Sequence, residues 1–183
     1  MHAFPMFLFF ALTVLAQANA ESLRIATLNL QNYLAMDRMV EGKWRSDYPK
    51  DEGEKALIRE AIIAHKPDIL ILQEIGVESY LEELRRDLAS EGFLYKHSIH
   101  MQAADEVRHL AVLSRIEPQS VVRHDDLEFK YFENRELVKR GMLEVEFLDP
   151  QGHSFQVFGV HLKSKWSDED RDPDSNLKAI EKL

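Results

Sequence analysis

The sequence has 183 residues and no cysteine, and its 32 acidic and 23 basic side chains give a formal net charge of −9. Its 45% of hydrophobic and 30% of charged residues are typical of a globular protein, which excludes a disordered chain, a collagen-like repeat and a protein with many membrane spans. The lack of cysteine excludes a disulfide framework, a thiolate zinc site and a cysteine nucleophile, so any bound metal must use oxygen or imidazole ligands. The acidic balance argues against tight nonspecific binding of nucleic acid to a basic surface.

The first 20 residues contain no charged side chain, and they end in the small-residue segment ANA directly before Glu21. Residues 4–16 are almost wholly apolar, but a membrane span needs about 20 such residues. This pattern predicts a secretory signal peptide over residues 1–20; an uncleaved membrane anchor and a first buried segment are the alternatives. We therefore expect residues 21–183 to be periplasmic or secreted, monomeric and without stable membrane association after cleavage.

The next part of the chain is predicted to form a βαβ unit. Residues 23–30 alternate apolar and polar side chains and predict a strand, whereas the polar residues 31–53 predict a long loop of a kind that often carries function. An apolar stripe over residues 54–65 predicts a helix, and the apolar run at residues 69–72 predicts a strand that is covered on both faces. Because such crossovers are right-handed and join parallel strands, the carboxyl ends of both strands should lie at one edge of the sheet.

A second amphipathic helix is predicted over residues 77–90, and Gly92 ends it. Four strand-like segments follow the helix, at residues 94–99, 110–114, 138–148 and 153–162. The turn residues Asp149-Pro150-Gln151-Gly152 predict a β-hairpin between the last two of these strands.

The end of the sequence predicts the start of one more helix. Asp174 and Ser175 are suitable helix caps, and an apolar stripe begins at Leu177 and reaches Leu183. An isolated helix of about two turns is marginal in water. We therefore expect Leu183 to be a cut within a longer domain.

Polar side chains follow both strands of the predicted βαβ unit. Asn29 lies near the carboxyl end of the first strand, and Glu74 lies just past the apolar run of the second. Ligands of parallel α/β sheets bind outside the carboxyl ends of the strands. A carboxylate at such a place is costly unless it is paired, and Mg²⁺ binds one or two carboxylates together with water and phosphate oxygens. The alternative is that Glu74 is merely solvated.

Two further groups favour an anionic substrate. His161 follows the last predicted strand and is itself followed by Lys163 and Lys165, so the imidazole could protonate an oxygen or stabilise negative charge, with Lys163 at the phosphate. A purely structural histidine is the alternative. Arg140 opens another strand beside Gly141, whose small size would let a phosphate approach the guanidinium.

Five short segments, taken in order, resemble the endonuclease/exonuclease/phosphatase superfamily, which has the deoxyribonuclease I-like fold. The resemblance covers the chain from about residue 23 to its end. It implies an α/β (α+β) fold, a two-sheet β-sandwich flanked by helices, and hydrolysis of phosphoester bonds that depends on Mg²⁺ or Mn²⁺. The segments are TLNLQNY (27–33), DILILQE (68–74), HLAVLSR (109–115), KRGMLEVEF (139–147) and GVHLKSK (159–165).

The same resemblance implies a role for each matched side chain. Glu74 corresponds to the metal-binding, catalytic glutamate, and Asn29 to the asparagine beside the metal and the scissile phosphate. Arg140 corresponds to the arginine that contacts the phosphate. His161 corresponds to the histidine that stabilises the pentacovalent phosphorane or protonates the leaving group.

Two later motifs of the family, a Gly-Asp-Phe-Asn segment and an Asp-His pair, have no counterpart in this sequence. They orient and deprotonate the attacking water, and loss of general-base assistance costs about 10²- to 10⁴-fold in rate. We therefore expect a C-terminally truncated, nearly inactive portion of an exported, metal-dependent phosphodiesterase that acts on nucleic acid. The alternatives are a phosphatase or sphingomyelinase-like lipid phosphodiesterase, and a non-catalytic remnant or binding module.

Overall fold

The computed structural model describes residues 22–162. The predicted signal peptide, Lys163, Lys165 and the predicted helix before Leu183 lie outside the described residues. Neither of the two helices within 22–162 has the length and apolar character that crossing a membrane requires. The elements are β1 (Ile25–Tyr33), β2 (Met36–Val40), β3 (Lys43–Tyr48), α1 (Glu52–His65), β4 (Ile69–Ile75), α2 (Glu78–Ser90), β5 (His97–Met101), β6 (His109–Ser114), β7 (Pro118–His124), β8 (Glu128–Tyr131), β9 (Asn134–Leu137), β10 (Met142–Leu148) and β11 (Ser154–Val160).

The first sheet has the strand order β1-β4-β6-β5. Strands β1 and β4 are parallel, with Ile25 opposite Ile69 and Asn29 opposite Gln73, and α1 connects them. The predicted βαβ unit is therefore confirmed. Strands β6 and β5 continue the sheet in antiparallel pairing, and every residue of β6 is buried.

The second sheet has the strand order β11-β10-β7 and is antiparallel throughout. Its β10–β11 hairpin closes through a hydrogen bond from the Asp149 N–H to the His153 carbonyl, which confirms the predicted turn. Alternate residues of β10 point inward and pack against the first sheet. That interface is an apolar cluster of Ile69, Ile71, Ile99, Met101, Leu110, Val112, Leu143, Val145 and Phe147.

The two helices cover the opposite face of the first sheet. Leu70 and Leu72 of β4 point to this face and pack against Ile62 of α1 and Leu84 of α2. Asp51 caps α1 by accepting hydrogen bonds from the N–H groups of residues 53 and 54. The predicted fold class, a two-sheet sandwich flanked by helices, is therefore confirmed.

The predicted loop over residues 31–53 is wrong, because β2 and β3 form a hairpin within it. Glu41 and Gly42 make a two-residue connection in which both φ angles are positive, at 50° and 75°, as type I′ hairpin turns require. Every residue of β3 is exposed. Strand β3 therefore has no buried face that would give the sequence an apolar–polar alternation. Strands β7, β8 and β9 were likewise not predicted.

Candidate active site

Glu74 lies where strand β4 is distorted. The pairing of β4 with β1 shifts register between Asn29 and Tyr33, and the pairing of β4 with β6 shifts register between Gln73 and Ile75. The φ angle of Glu74 is 61°, a left-handed value that is uncommon for residues other than glycine. Irregularities of this kind re-aim a side chain at the edge of a sheet. The carboxylate thus lies near the end of the buried strand β4 without continuing its alternation.

Asn32 holds this carboxylate in place. Its backbone N–H donates to Oε2 of Glu74 at 3.0 Å, and its side-chain Oδ1 accepts from Nε of Arg108 at 2.7 Å. Its carbonyl oxygen accepts from Nη2 of Arg38, also at 2.7 Å. Asn32 itself has a left-handed φ of 61°. One distorted residue therefore joins the carboxylate, a guanidinium and the β2–β3 hairpin.

His161 follows β11 and reaches the same place from the second sheet. Its Nε2 lies 3.6 Å from Oε1 of Glu74, and its Nδ1 is buried without a hydrogen-bond partner among the described residues. Burial lowers the pKa of His161, and the charges of Arg140 and Arg108 lower it further, against the opposing effects of Glu74 and Asp105. The site therefore favours the neutral imidazole.

Arg140 is held by an ion pair with Asp105, in which Nε and Oδ2 are 3.1 Å apart and the two side chains are only 17% and 14% exposed. The other carboxylate oxygen, Oδ1, accepts the N–H groups of Val107 and Arg108 at 3.0 Å. Burial of Asp105 opposes its charge, but these N–H groups and Arg140 together hold the pKa of Asp105 below its ordinary value. The loop before β6 therefore positions both arginines.

Gly141 has a packing role in the structure, and its predicted role of admitting a phosphate stays a prediction. Its φ angle is +61°, and a Cβ atom would lie 2.4 Å from Cε of Met101 and 2.5 Å from the carbonyl oxygen of His124. Glycine is therefore required here by backbone conformation and by close packing. This packing fixes the backbone between Arg140 and the start of β10 at Met142.

Arg108 and Arg140 both keep hydrogen-bonding capacity for a ligand. Each uses Nε in the contacts described above, and no η nitrogen of either side chain donates a hydrogen bond within residues 22–162. None of these nitrogens is among the buried polar atoms that lack a partner. Two guanidinium groups near His161 thus present free donors that suit a phosphate.

The remaining predicted residues are placed less centrally or not at all. Asn29 is exposed and its Oδ1 accepts the N–H of Gln31 at 2.8 Å. Asn29 pairs with Gln73, the residue that precedes Glu74. In the part of the chain that the structure describes, no hydrogen bond joins the Asn29 side chain to Glu74, Arg140 or His161. The predicted phosphate contact of Lys163 lies outside the described residues.

Three residues of the site were missed in the sequence, namely Asn32, Asp105 and Arg108. Asp105 and Arg108 belong to a charged segment between two strands that resembles any solvated loop. The available signals were the position of Asn32 within the segment TLNLQNY and that of Arg108 directly before the segment HLAVLSR. Their roles depend on contacts with residues that are distant in the chain, which the sequence pattern does not show.

The described residues contain no group of three or more His, Cys, Asp or Glu side chains arranged to hold a metal ion. Glu74 nevertheless has a suitable donor, because Oε2 accepts the Asn32 N–H while Oε1 accepts no hydrogen bond from residues 22–162. A single carboxylate fits Mg²⁺, which keeps several waters and binds substrate phosphate. The residues present therefore fit a hard divalent cation.

No family model and no curated protein matches the sequence. The structure, however, is similar to the solved structure of an endonuclease/exonuclease/phosphatase protein from Beutenbergia cavernae, with a TM-score of 0.50 and 20% sequence identity over 79% of this chain. The fold is that of an endonuclease/exonuclease/phosphatase protein. The resemblance seen in the five sequence segments is thereby confirmed at the level of the fold. This chain spans 39% of the length of that structure.

Proposed function

We propose that this chain carries the metal-binding and phosphate-binding part of a divalent-metal-dependent phosphodiester hydrolase, an exported nuclease. The observation that supports the proposal best is the approach of His161 to Glu74, with Arg140 and Arg108 close enough to lower the pKa of the histidine. The endonuclease/exonuclease/phosphatase-type fold supports a hydrolase of this general kind.

The two arginines would bind the phosphate of the substrate. Asp105 holds Arg140 and Asn32 holds Arg108, each through the Nε atom, so both side chains are ordered before the substrate arrives. Preorganised donors of this kind stabilise charge that develops in the transition state without reorganisation. Guanidinium groups also form paired hydrogen bonds with phosphate oxygens.

Glu74 would hold Mg²⁺ or Mn²⁺ through Oε1, and the amide oxygen of Asn29 is the second proposed ligand. When bound there, the cation would supply charge neutralisation at the scissile phosphate. The N–H of Asn32 keeps the carboxylate oriented through Oε2. Substitution of Glu74 by glutamine removes the charge but keeps an oxygen for this hydrogen bond.

His161 would act on the oxygen at which negative charge develops. In the free protein the arginine charges oppose protonation of the imidazole. A bound phosphate offsets those charges, which raises the proton affinity of His161 while substrate is present. The histidine can then donate a hydrogen bond or a proton to the leaving oxygen.

Calorimetric titration of the full chain with a hydrolysis-resistant phosphorothioate dinucleotide tests this function. We expect the dinucleotide to bind in the presence of Mg²⁺. Its affinity should fall at least about 10-fold in EDTA, in Glu74→Gln and in Arg140→Gln, because substitution of residues that only support the metal ligands already lowers metal affinity or activity by that factor. Arg115→Gln is the matched control, because Arg115 is exposed and pairs with Asp68 at the other end of β6. Affinity that is indifferent to EDTA and to both site variants would refute the proposal.

Export is tested separately. In a bacterial host, the chain expressed from Met1 should appear in the periplasm with Glu21 as its first residue, as mass spectrometry of the purified protein would show. A cytoplasmic protein that retains residues 1–20 would contradict this part of the proposal and leave the phosphate site unaffected.

A further inference from the structure

Hydrogen bonds join the β2–β3 hairpin to the active site. Nη2 of Arg38 donates to the carbonyl oxygens of Asn32 at 2.7 Å and Leu34 at 3.2 Å, while its Nε donates to that of Tyr48. Lys50, which is only 5% exposed, donates to the carbonyl oxygen of Gln31 at 2.9 Å. The base of the hairpin is therefore joined to the same turn whose N–H binds the Glu74 carboxylate.

A groove of about 710 Å³ lies between this hairpin and the beginning of α1, and it extends from Asn32. Its size is typical of sites for small organic ligands. Two large apolar side chains in its lining are exposed and lie opposite each other across the hairpin, Trp44 at 71% and Met39 at 56%. Tyr48 adds a second aromatic ring to the lining.

The charges of the groove oppose a second phosphate. Its acidic lining residues are Asp37, Glu41, Asp51 and Glu54, and its one basic lining residue among those described is Arg38, whose guanidinium is already bound to three carbonyl oxygens. A neutral planar group with N–H donors fits better, because its face stacks on tryptophan and its edge meets carboxylate oxygens. A nucleobase has both properties.

We propose that this groove binds one unpaired nucleobase adjacent to the phosphodiester held by Arg108 and Arg140, with the base stacked on Trp44. The inference rests on the proposed function, since the nucleobase belongs to the nucleotide whose phosphodiester the two arginines would bind. A base inside a duplex is already stacked and paired, so the groove selects single-stranded nucleic acid.

The chain has two tryptophans, Trp44 and Trp166, so the fluorescence of the Trp166→Phe variant reports Trp44 alone. The full chain in this background is titrated in Mg²⁺ with a single-stranded phosphorothioate pentanucleotide and with an abasic pentamer of the same charge. The base-bearing oligomer should quench Trp44 and bind about 10- to 100-fold more tightly, since stacking on an aromatic side chain contributes on that order per base.

Three variants locate the effect when binding is measured by calorimetry. Trp44→Ala should bind both oligomers with the weaker affinity, Trp44→Phe should restore most of the preference, and Phe158→Ala should behave as the parent. Phe158 is the matched control because it is a half-exposed aromatic residue that does not line the groove. Preference for the base-bearing oligomer that persists in Trp44→Ala would overturn the inference.

The remaining outcomes separate this inference from the proposed function. Equal binding of the two oligomers that still depends on Arg140 would overturn the nucleobase site and keep the phosphodiester site. Quenching of Trp44 by a phosphocholine ester but not by the oligomer would assign the groove to a cationic headgroup and overturn the inference. Failure of both oligomers to bind would overturn the inference and the proposed function together.

Discussion

Nε2 of His161 lies 3.6 Å from Oε1 of Glu74, although the two residues belong to different sheets. His161 follows β11 of the second sheet, and Glu74 lies near the end of β4 in the first sheet. The contact exists because the two sheets pack face to face and both strands deliver their ends to one edge of the sandwich. Arg140, two residues before β10, is close enough to affect the same imidazole.

His161 should titrate below the value of about 6.5 that is ordinary for histidine, because burial and two arginines disfavour the imidazolium. The folded protein then binds fewer protons than the unfolded chain, so His161 makes the protein less stable as pH falls below about 6.5. Arg140→Gln should raise its pKa, and Glu74→Gln should lower it further. NMR titration of the imidazole in EDTA measures these shifts, and a pKa above the ordinary value would contradict the geometry.

Asp105→Asn should destabilise the protein by about 1.5–3 kcal/mol at pH 7, because a hydrogen bond between charged groups contributes about that much. The pKa of Asp105 is lowered on folding, so its stabilisation is complete above about pH 4 and is lost as the pH falls through the folded-state pKa. Urea unfolding at pH 7 and pH 3 should show a smaller pH effect in the variant. An unchanged pH effect would mean that the pair with Arg140 does not form.

Gly141→Ala and Gly152→Ala separate packing from backbone strain. Both glycines have positive φ, but a Cβ at Gly152 has no neighbour within 4 Å, whereas one at Gly141 would collide with Met101 and the backbone of His124. We expect about 1–2 kcal/mol of destabilisation at Gly152 and about 1–3 kcal/mol more at Gly141, measured by urea unfolding. Gly141→Ala should also weaken phosphate binding by displacing Arg140. Equal losses of stability in the two variants would contradict the packing described for Gly141.

Arg108→Gln should weaken binding of the phosphorothioate dinucleotide by about 10-fold or more, because hydrogen bonds to charged groups are worth about 1.5–3 kcal/mol. Calorimetry alongside Arg115→Gln, which removes an arginine from the opposite end of β6, corrects for the change in net charge. If the two variants bind equally well, Arg108 has no part in the phosphate site.

The elements that bury apolar residues in a regular period could be predicted from the sequence. These include the βαβ unit and the β10–β11 hairpin, since the apolar period and the turn residues determine them locally. Strand β3 could not be predicted in this way, because all of its residues are exposed. Its pairing depends instead on a turn with positive φ angles and on Arg38, whose guanidinium binds the carbonyl oxygens of Asn32, Leu34 and Tyr48.

The candidate site was predictable to the same extent. Glu74 lies near the end of β4, Arg140 lies shortly before β10 and His161 follows β11, so the topology brings them to one edge. Asp105 and Arg108 act through hydrogen bonds to partners that the sequence places far away. The left-handed backbone of Glu74 coincides with register shifts in the pairing of β4 with both of its neighbours, β1 and β6, and long-range pairing of this kind is not visible in a local sequence pattern.

Binding of Mn²⁺, followed by the paramagnetic broadening of NMR signals in the full chain, tests most directly whether these groups surround one cation. Mn²⁺ should first broaden the signals of the His161 imidazole, the Asn32 N–H and the Arg140 Nε–H, leave those of Arg115 sharp, and lose this selectivity in Glu74→Gln. Broadening that spares His161 and Arg140, or that is the same in Glu74→Gln, would contradict the assembly of a metal and phosphate site at this edge of the sandwich.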